Sequence, residues 1–270
     1  MAYFADRVVA ITGAGSGIGR ELALALARDG ALLALSDKSA AAVAETGQLC
    51  AELGAKPAVT TLDVTDRPAV LAHAAATVAH YGRVEALFNN AGILHVGGVA
   101  ESPFSDFEQV MDVDFWGVVN GTKAFLPYLL AAEQAHVVNT SSAFGLVGMA
   151  QHAPYNAAKF AVRGFTDSLR QDMRAAGGKV RVTAVYPGGV LTSIARSALV
   201  APGIDAEAVA RRFEGHVART SPAAAARTIL RGAARGEAKV LVGLDALLVD
   251  LITRFAGSYH ERVLDMVFRS

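Results

Sequence analysis

Cysteine is almost missing from this chain: Cys50 is the only one in 270 residues. A lone thiol excludes an internal disulfide, and no second cysteine is available to build a metal site with it. A reducing, cytoplasmic setting is the expectation from that usage. Charge of one sign is missing too, because 25 basic and 25 acidic side chains cancel. No global field attracts nucleic acid or an anionic membrane, so a small molecule is the expected partner. No uncharged apolar run reaches the roughly 18 residues that an integral membrane segment requires. The most hydrophobic tail segment, Leu241 to Ile252, is broken by Asp245 and Asp250. The first apolar run, Arg7 to Thr12, meets a glycine-rich loop at once and reads as a strand, not a signal peptide. Internal repeats and low-complexity linkers are absent.

What is present is apolar bulk in a regular order. Hydrophobic residues make up 53% of the chain and charged ones 19%, enough for one large core over residues 1–270. Strand-like runs alternate with helical ones: Val8–Thr12 then Gly17–Asp29, Ala31–Ser36 then Ala40–Leu53, Ala58–Leu62 then Arg67–His80. Ala86–Asn89 precedes a long helix over Ser105–Ala132, and Val137–Thr140 precedes a helix that holds Tyr155 and runs to about Ala176. Val180–Val185 leads into an irregular stretch, followed by a helix over Pro222–Arg235, a strand over Lys239–Val242 and a last helix. Repeated strand-then-helix order implies parallel strands joined by right-handed crossovers and covered on both faces. The expected fold is an α/β doubly wound parallel sheet of about seven strands, which binds ligands at the carboxyl ends of its strands.

The first strand–helix turn reads Thr12-Gly13-Ala14-Gly15-Ser16-Gly17-Ile18-Gly19. Glycines let the backbone turn tightly and approach a pyrophosphate, whose charge the helix amino terminus stabilises. The spacing is T-G-x-x-x-G-x-G, not the dinucleotide G-x-G-x-x-G. Asp37 follows the second strand, 24 residues after Gly13. A carboxylate there accepts hydrogen bonds from ribose hydroxyls and repels a 2′-phosphate, which favours NAD over NADP. Its neighbour Lys38 is a cation that could instead pair with a phosphate. Asp63 and Val64 end the third strand where an adenine edge would lie. Asn89-Asn90-Ala91-Gly92 ends the fourth, and such small residues leave room for a flat ligand.

Tyr155 and Lys159 stand one helical turn apart, with Ser142 upstream at the end of a strand. Together they can address a hard step, removing a proton from an alcohol near neutral pH. A free tyrosine, with a pKa near 10, is a phenolate about once in a thousand at neutral pH. Residues i and i+4 share a helix face, so an ammonium can sit beside the phenol. At an effective dielectric of about 20, a charge roughly 4 Å away contributes about 4 kcal/mol. The expectation is a phenol lowered by about three pKa units.

T-G-x-x-x-G-x-G, N-N-A-G, Ser142 and Y-x-x-x-K occur in order, and over about residues 5–245 the chain resembles a short-chain dehydrogenase/reductase of the compact branch. The resemblance implies interconversion of an alcohol and a ketone with a nicotinamide cofactor. Tyr155 would be the acid/base group, Lys159 its neighbour and a holder of the nicotinamide ribose, and Ser142 the donor to the substrate oxygen. Pro187-Gly188-Gly189-Val190-Leu191-Thr192 is similar to the family's carboxamide-binding loop, acting through the Val190 backbone and Thr192. Family members preferring NADP often carry a basic residue where this chain has Ser16. One position departs: Asp114 stands where the family usually has Asn, whose backbone carbonyl holds a water linked to the catalytic lysine. Two readings follow: Asp114 serves in the same catalytic set through its main chain, which is the expectation, or its added buried charge perturbs Lys159 and slows turnover. The resemblance also implies a homodimer or homotetramer formed by the two long central helices.

Substrate contacts are expected from His95 and Val96, Phe144 to Met149, His152, and the loop over residues 193–219. These are mostly apolar, so a hydrophobic alcohol or ketone is expected; Arg211 and Arg212 read as a solvated helix face. Apolar residues at helical spacing (Leu247, Leu248, Leu251, Ile252, Phe255, Tyr259, Val263, Met266 and Val267) mark a carboxyl-terminal helical extension over residues 244–270. Two other functions fit parts of the pattern: a nucleotide-binding sensor with catalysis weakened at Asp114, and an NADPH-dependent 3-oxoacyl-thioester reductase.

Overall fold

A computed structural model describes residues 3–260 and 262–263. Seven strands form one parallel sheet: β1 (Val8–Thr12), β2 (Leu32–Asp37), β3 (Ala58–Thr61), β4 (Ala86–Asn89), β6 (Ala135–Thr140), β7 (Val180–Pro187) and β9 (Lys239–Val242), in the order β3-β2-β1-β4-β6-β7-β9. A second, two-stranded sheet joins β5 (His95–Val96) to β8 (Leu199–Val200). The helices are α1 (Gly17–Arg28), α2 (Ala40–Glu52), α3 (Arg67–Tyr81), α4 (Phe104–Met111), α5 (Gly117–Ala131), α6 (Ala153–Ala175), α7 (Ala206–Arg212), α8 (Pro222–Arg235) and α9 (Leu244–Phe255).

Successive strand residues point to opposite faces, and both faces are apolar. From β1, Val9 and Ile11 pack under α1, α2 and α8 with Leu22, Leu26, Val43 and Ile229. Val8 and Ala10 pack on the other side under α3, α5 and α6 with Val70, Phe125, Leu129 and Leu169. Cys50 is buried in the first of these layers, and burial pushes its thiol up to about 11, so it is chemically quiet.

Strand order reverses between β1 and β4, which opens a crevice at their carboxyl ends. Thr12 Oγ1 bridges that crevice, accepting the backbone N–H groups of Asn90 at 3.1 Å and Ala91 at 3.2 Å.

The expected long helix over Ser105–Ala132 is present as α4 and α5 joined without a break by a π-helical turn over Asp112–Trp116. The extra residue in that turn breaks the 3.6-residue period and rotates Asp114 into the interior. The stretch read as irregular contains β8 and α7, and β8 gains its partner from the distant β5. Of the carboxyl-terminal apolar series, Met266 and Val267 lie outside the described residues. Among the described residues, no helix is long and apolar enough to cross a membrane.

Candidate active site

The glycine turn is shaped for something that touches backbone. Gly13 has φ +66°, and a β-carbon there would stand 2.7 Å from Ala91 Cα. Gly17 has φ +52°, and a β-carbon there would stand 2.9 Å from Thr192 Cγ2. Only glycine supplies that conformation together with that close approach. A β-carbon on Gly15 would meet Asp37 Oδ2, and one on Gly19 the Gly13 carbonyl. Ser16 precedes α1 without capping it by its side chain, so the N–H groups of the first turn, around Gly17, Ile18 and Gly19, keep their donors free. Asn90 Nδ2 donates to the Gly13 carbonyl at 3.2 Å, which ties the two sides of the crevice together.

Asp37, at the end of β2, accepts from Gly15 N and Ser39 N, each at 2.9 Å, so its carboxylate is aimed at the glycine turn. Lys38 turns away and pairs with Asp63 at 2.8 Å, which holds the Asp63 carboxyl below its ordinary range despite partial burial. Val64 packs against Gly117, where a β-carbon would stand 2.7 Å from Val64 Cγ2. Arg20, which was not among the expected site residues, clamps the turn by donating to the Gly15 carbonyl at 2.7 and 3.1 Å. Its other partners are Thr46 and Glu45.

Helix α6 carries a buried stripe of Tyr155, Ala158, Lys159, Val162, Thr166, Leu169 and Met173. Tyr155 and Lys159 are its amino-terminal end, where it leaves the sheet and meets the crevice. Lys159 Nζ lies 5.5 Å from the Tyr155 ring centroid, on the same side of the helix. The lysine also donates to the Thr140 carbonyl at 3.3 Å, and Ser141 Oγ donates to the Lys159 carbonyl at 2.8 Å. These bonds fix α6 to the end of β6. Ser142 caps the short turn Ala143–Gly145, accepting from Phe144 N at 3.1 Å, and is buried beside Tyr155.

Asp114 meets the lysine through its side chain: its Oδ2 stands 3.0 Å from Lys159 Nζ, and both side chains are buried. One expectation fails here: Tyr155 is not lowered by three units. Burial pushes the phenol up, Lys159 draws it down, Asp114 pushes it up again and Ser142 draws it down, leaving it above its ordinary value. Burial alone would depress Lys159, but Asp114 and Tyr155 reverse that and keep the ammonium charged.

On the substrate side, Phe144 lies edge-on to Tyr155 at 6.2 Å and to His152 at 5.1 Å. Tyr155 belongs to an apolar cluster with Leu94, Val96, Val110, Ala158 and Ala195, covered by Ile194, Leu199, Val209 and Phe213 from residues 193–219. His152 precedes α6 and donates from Nδ1 to the Ala150 carbonyl when its other nitrogen is bare. Met149 departs from expectation. It packs with Leu146, Val147, Tyr186 and Val249 near α9, because residues 146–149 follow the chain away from Tyr155. Arg211 pairs with Glu207 and Asp205 on an exposed face, as expected for a solvated helix.

The loop after β7 holds a residue that sequence reasoning missed. Gly188 packs so closely on Asp245 that a β-carbon there would collide with the carboxylate, and Gly189 N donates to Asp245 Oδ2 at 2.5 Å. Asp245, at the start of α9, thereby fixes the Pro187–Thr192 loop. Val190 is buried and Thr192 faces Gly17 across the crevice. An aspartate in the first turn of a helix was the available signal.

A glycine turn at a strand-order reversal, with a buried Ser–Tyr–Lys set one strand further along, defines a nucleotide-dependent oxidoreductase. The family model for short chain dehydrogenase matches residues 7–201, and the chain belongs to that family. It is 52% identical over 264 residues to SadH of Mycobacterium tuberculosis (strain H37Rv), named as an oxidoreductase, covering 98% of this chain and 96% of that one. A short chain dehydrogenase/reductase from Burkholderia phymatum, solved in complex with NAD, superposes with a TM-score of 0.87 at 31% identity, covering 94% of this chain and 95% of the other. Levodione reductase gives a TM-score of 0.77 at 28% identity, covering 91% of this chain and 98% of the other.

Proposed function

We propose that the chain is a nicotinamide-dependent dehydrogenase/reductase that interconverts a hydrophobic secondary alcohol and its ketone, with NAD as the cofactor. One observation carries this reading: Tyr155, Lys159 and Ser142 meet at the edge of an apolar cluster, in the same molecule as a glycine turn that leaves the first N–H groups of α1 free. The turn fits a dinucleotide because the first-turn N–H groups of Gly17, Ile18 and Gly19 are unclaimed, and its glycines let neighbouring backbone close around it where a β-carbon would collide. Gly13, Gly15, Ser16, Gly17, Ile18 and Gly19 would hold the pyrophosphate and Asp37 the adenosine ribose. Asp63 and Val64 would border the adenine, while Asn90, Ala91 and Gly92 line the crevice floor. Pro187, Gly188, Val190 and Thr192 would hold the nicotinamide end.

When bound, the nicotinamide supplies or accepts the hydride. The chain's own residues do the rest. Ser142 donates to the substrate oxygen, and Tyr155 exchanges a proton with that oxygen. Lys159 keeps a positive charge beside the phenol and would hold a hydroxyl of the nicotinamide ribose. Phe144, Val96 and the cover formed by residues 193–219 exclude water and favour an apolar substrate. His152 borders this pocket through Phe144.

NAD is favoured over NADP because Asp37 presents an anion where a 2′-phosphate would sit, while Lys38 is engaged by Asp63. That argument also disfavours an NADPH-dependent thioester reductase. The test is nicotinamide absorbance with NAD or NADP against a panel of secondary alcohols and ketones. Turnover with an apolar member is expected, and Tyr155→Phe should lower kcat by about 10²-fold or more. Full activity in that variant would end the assignment.

A further inference from the structure

Lys159 does not face Tyr155 as an unopposed cation. Its Nζ lies 3.0 Å from Asp114 Oδ2, with the two side chains 4% and 0% exposed. Solvent ions do not screen a pair at that depth. The carboxylate is also fixed from a second direction, since Oδ1 accepts the Ile93 backbone N–H at 2.8 Å. Among the described residues, Oδ2 has no partner besides the ammonium. The other polar contact of Lys159 is a neutral group, the Thr140 carbonyl at 3.3 Å. Positive and negative charge therefore sit side by side, and the phenol experiences their difference.

The groups around Tyr155 that can carry charge are few. Lys159 stands on its own helix, Asp114 comes from the π-helical turn, and His152 precedes the helix. Ser142 adds a hydroxyl from the end of β6. The segment Gly92–Ile93 adds no charge, and on α4 the carboxylate of Asp106 is engaged by His95 at 3.1 Å. Among the described residues, Asp114 is therefore the one anion set directly against the Lys159–Tyr155 couple.

We propose that Asp114 is a positioning residue whose carboxylate offsets the field of Lys159 and keeps Tyr155 a phenol through neutral pH, so that this site gives a proton to a carbonyl readily and takes one from an alcohol only in alkaline solution. The inference rests on Tyr155 being the acid/base group. In the favoured direction the phenolic O–H bond breaks as an O–H bond forms on the carbonyl oxygen. A reduced nicotinamide is the two-electron donor that balances the step, and solvent returns the proton to Tyr155. The direction of the phenol's shift agrees: burial raises it, Lys159 lowers it and Asp114 raises it again. In a chain with an uncharged residue at this position, the cation would act alone.

The test needs no cofactor. Tyrosinate absorbance is followed against pH in the parent and in Tyr155→Phe, and the difference isolates Tyr155 from the other tyrosines. Tyr155 is expected to ionise above free tyrosine in the parent. In Asp114→Asn, which keeps an oxygen for the Ile93 N–H, it should ionise at lower pH. Each pH unit of that movement is about a tenfold gain in phenolate at neutral pH. Alcohol oxidation should follow, with the acid limb of its kcat/KM profile displaced to lower pH by the same amount. A merely structural role for Asp114 would lower rates at every pH and leave the limb in place. Parent Tyr155 ionising below free tyrosine, or an Asp114→Asn titration that stays put or moves up, would overturn the proposal. If Asp114→Asn does not fold, a parent Tyr155 that ionises below free tyrosine still overturns the proposal, and Asp114→Ser takes the place of Asp114→Asn in the comparison. Failure of the proposed function reads differently, as turnover that survives Tyr155→Phe.

Discussion

At the scale of single residues, the most consequential side chain outside the acid–base set is Asp37. Two backbone N–H groups orient its carboxylate, Gly15 and Ser39, each at 2.9 Å. The adjacent cation in the chain, Lys38, is drawn off to Asp63 at 2.8 Å. An oriented and uncompensated anion both accepts from a ribose diol and repels a phosphate. Replacing it with alanine, Asp37→Ala, should raise KM for NAD and relieve the repulsion of NADP. The expected change is a fall of about tenfold or more in the NAD/NADP ratio of kcat/KM, worth roughly 1.4 kcal/mol. Steady-state KM values for both cofactors check this, and an unchanged ratio would contradict the role given to Asp37. Asp37, Ser142 and Tyr155 were legible in the sequence because residue type, order and spacing carry their chemistry. Arg20 and Asp245 were not, because both act on backbone groups of a loop, the Gly15 carbonyl and the Gly189 N–H. A string of letters does not show which backbone atoms a bend turns toward a side chain.

At the scale of elements, the strands and the outer helices followed from apolar periodicity, and α8 and β9 ended where their breakers stand. The π-helical turn between α4 and α5 did not follow. It shifts the phase of one continuous helix without any proline or glycine signal inside Asp112–Trp116, and Asp114, which meets Lys159, lies within it. A second hidden feature joins sheet to helix by side chains. Asn89 Nδ2 on β4 donates to Thr122 Oγ1 on α5 at 3.0 Å and to Asn139 Oδ1 on β6 at 2.9 Å. Asn139 Nδ2 then donates to Thr166 Oγ1 on α6 at 3.0 Å. All four residues are buried, so the chain of bonds locks the two central helices against neighbouring strands. Asn139→Leu keeps the approximate volume but strands an Asn89 donor in the interior. It should destabilise the fold by about 2–3 kcal/mol. Urea unfolding would show this as a lower midpoint at unchanged slope. A midpoint within error of the parent would mean the network is dispensable.

At the scale of the whole molecule, a sheet buried on both faces encloses imidazoles that would otherwise titrate in water. His73 sits against Phe125 at 5.8 Å with Nε2 unpartnered, and burial lowers it to about 4. His136 lies in β6 with Nε2 3.0 Å from Thr183 Oγ1, and burial, with Arg181 and Arg7 nearby, lowers it to about 3. Both folded values are below the ordinary 6.5. The unfolded chain therefore binds more protons in that window, and stability falls as pH drops below about 6.5. The loss continues until the folded-state values are reached, near 4 for His73 and 3 for His136. By about pH 5 each histidine should cost about 2 kcal/mol relative to neutral pH. Together that is a large share of the roughly 5–15 kcal/mol holding a typical domain. Acid unfolding should accordingly begin well above the carboxylate range. His73→Leu replaces an unpartnered ring nitrogen by apolar volume, so it should recover about half of the loss at about pH 5 and change neutral-pH stability little. Urea midpoints measured across that interval read the proton uptake directly. If the parent and His73→Leu share one pH slope, His73 is charged in the folded protein and its burial is incomplete.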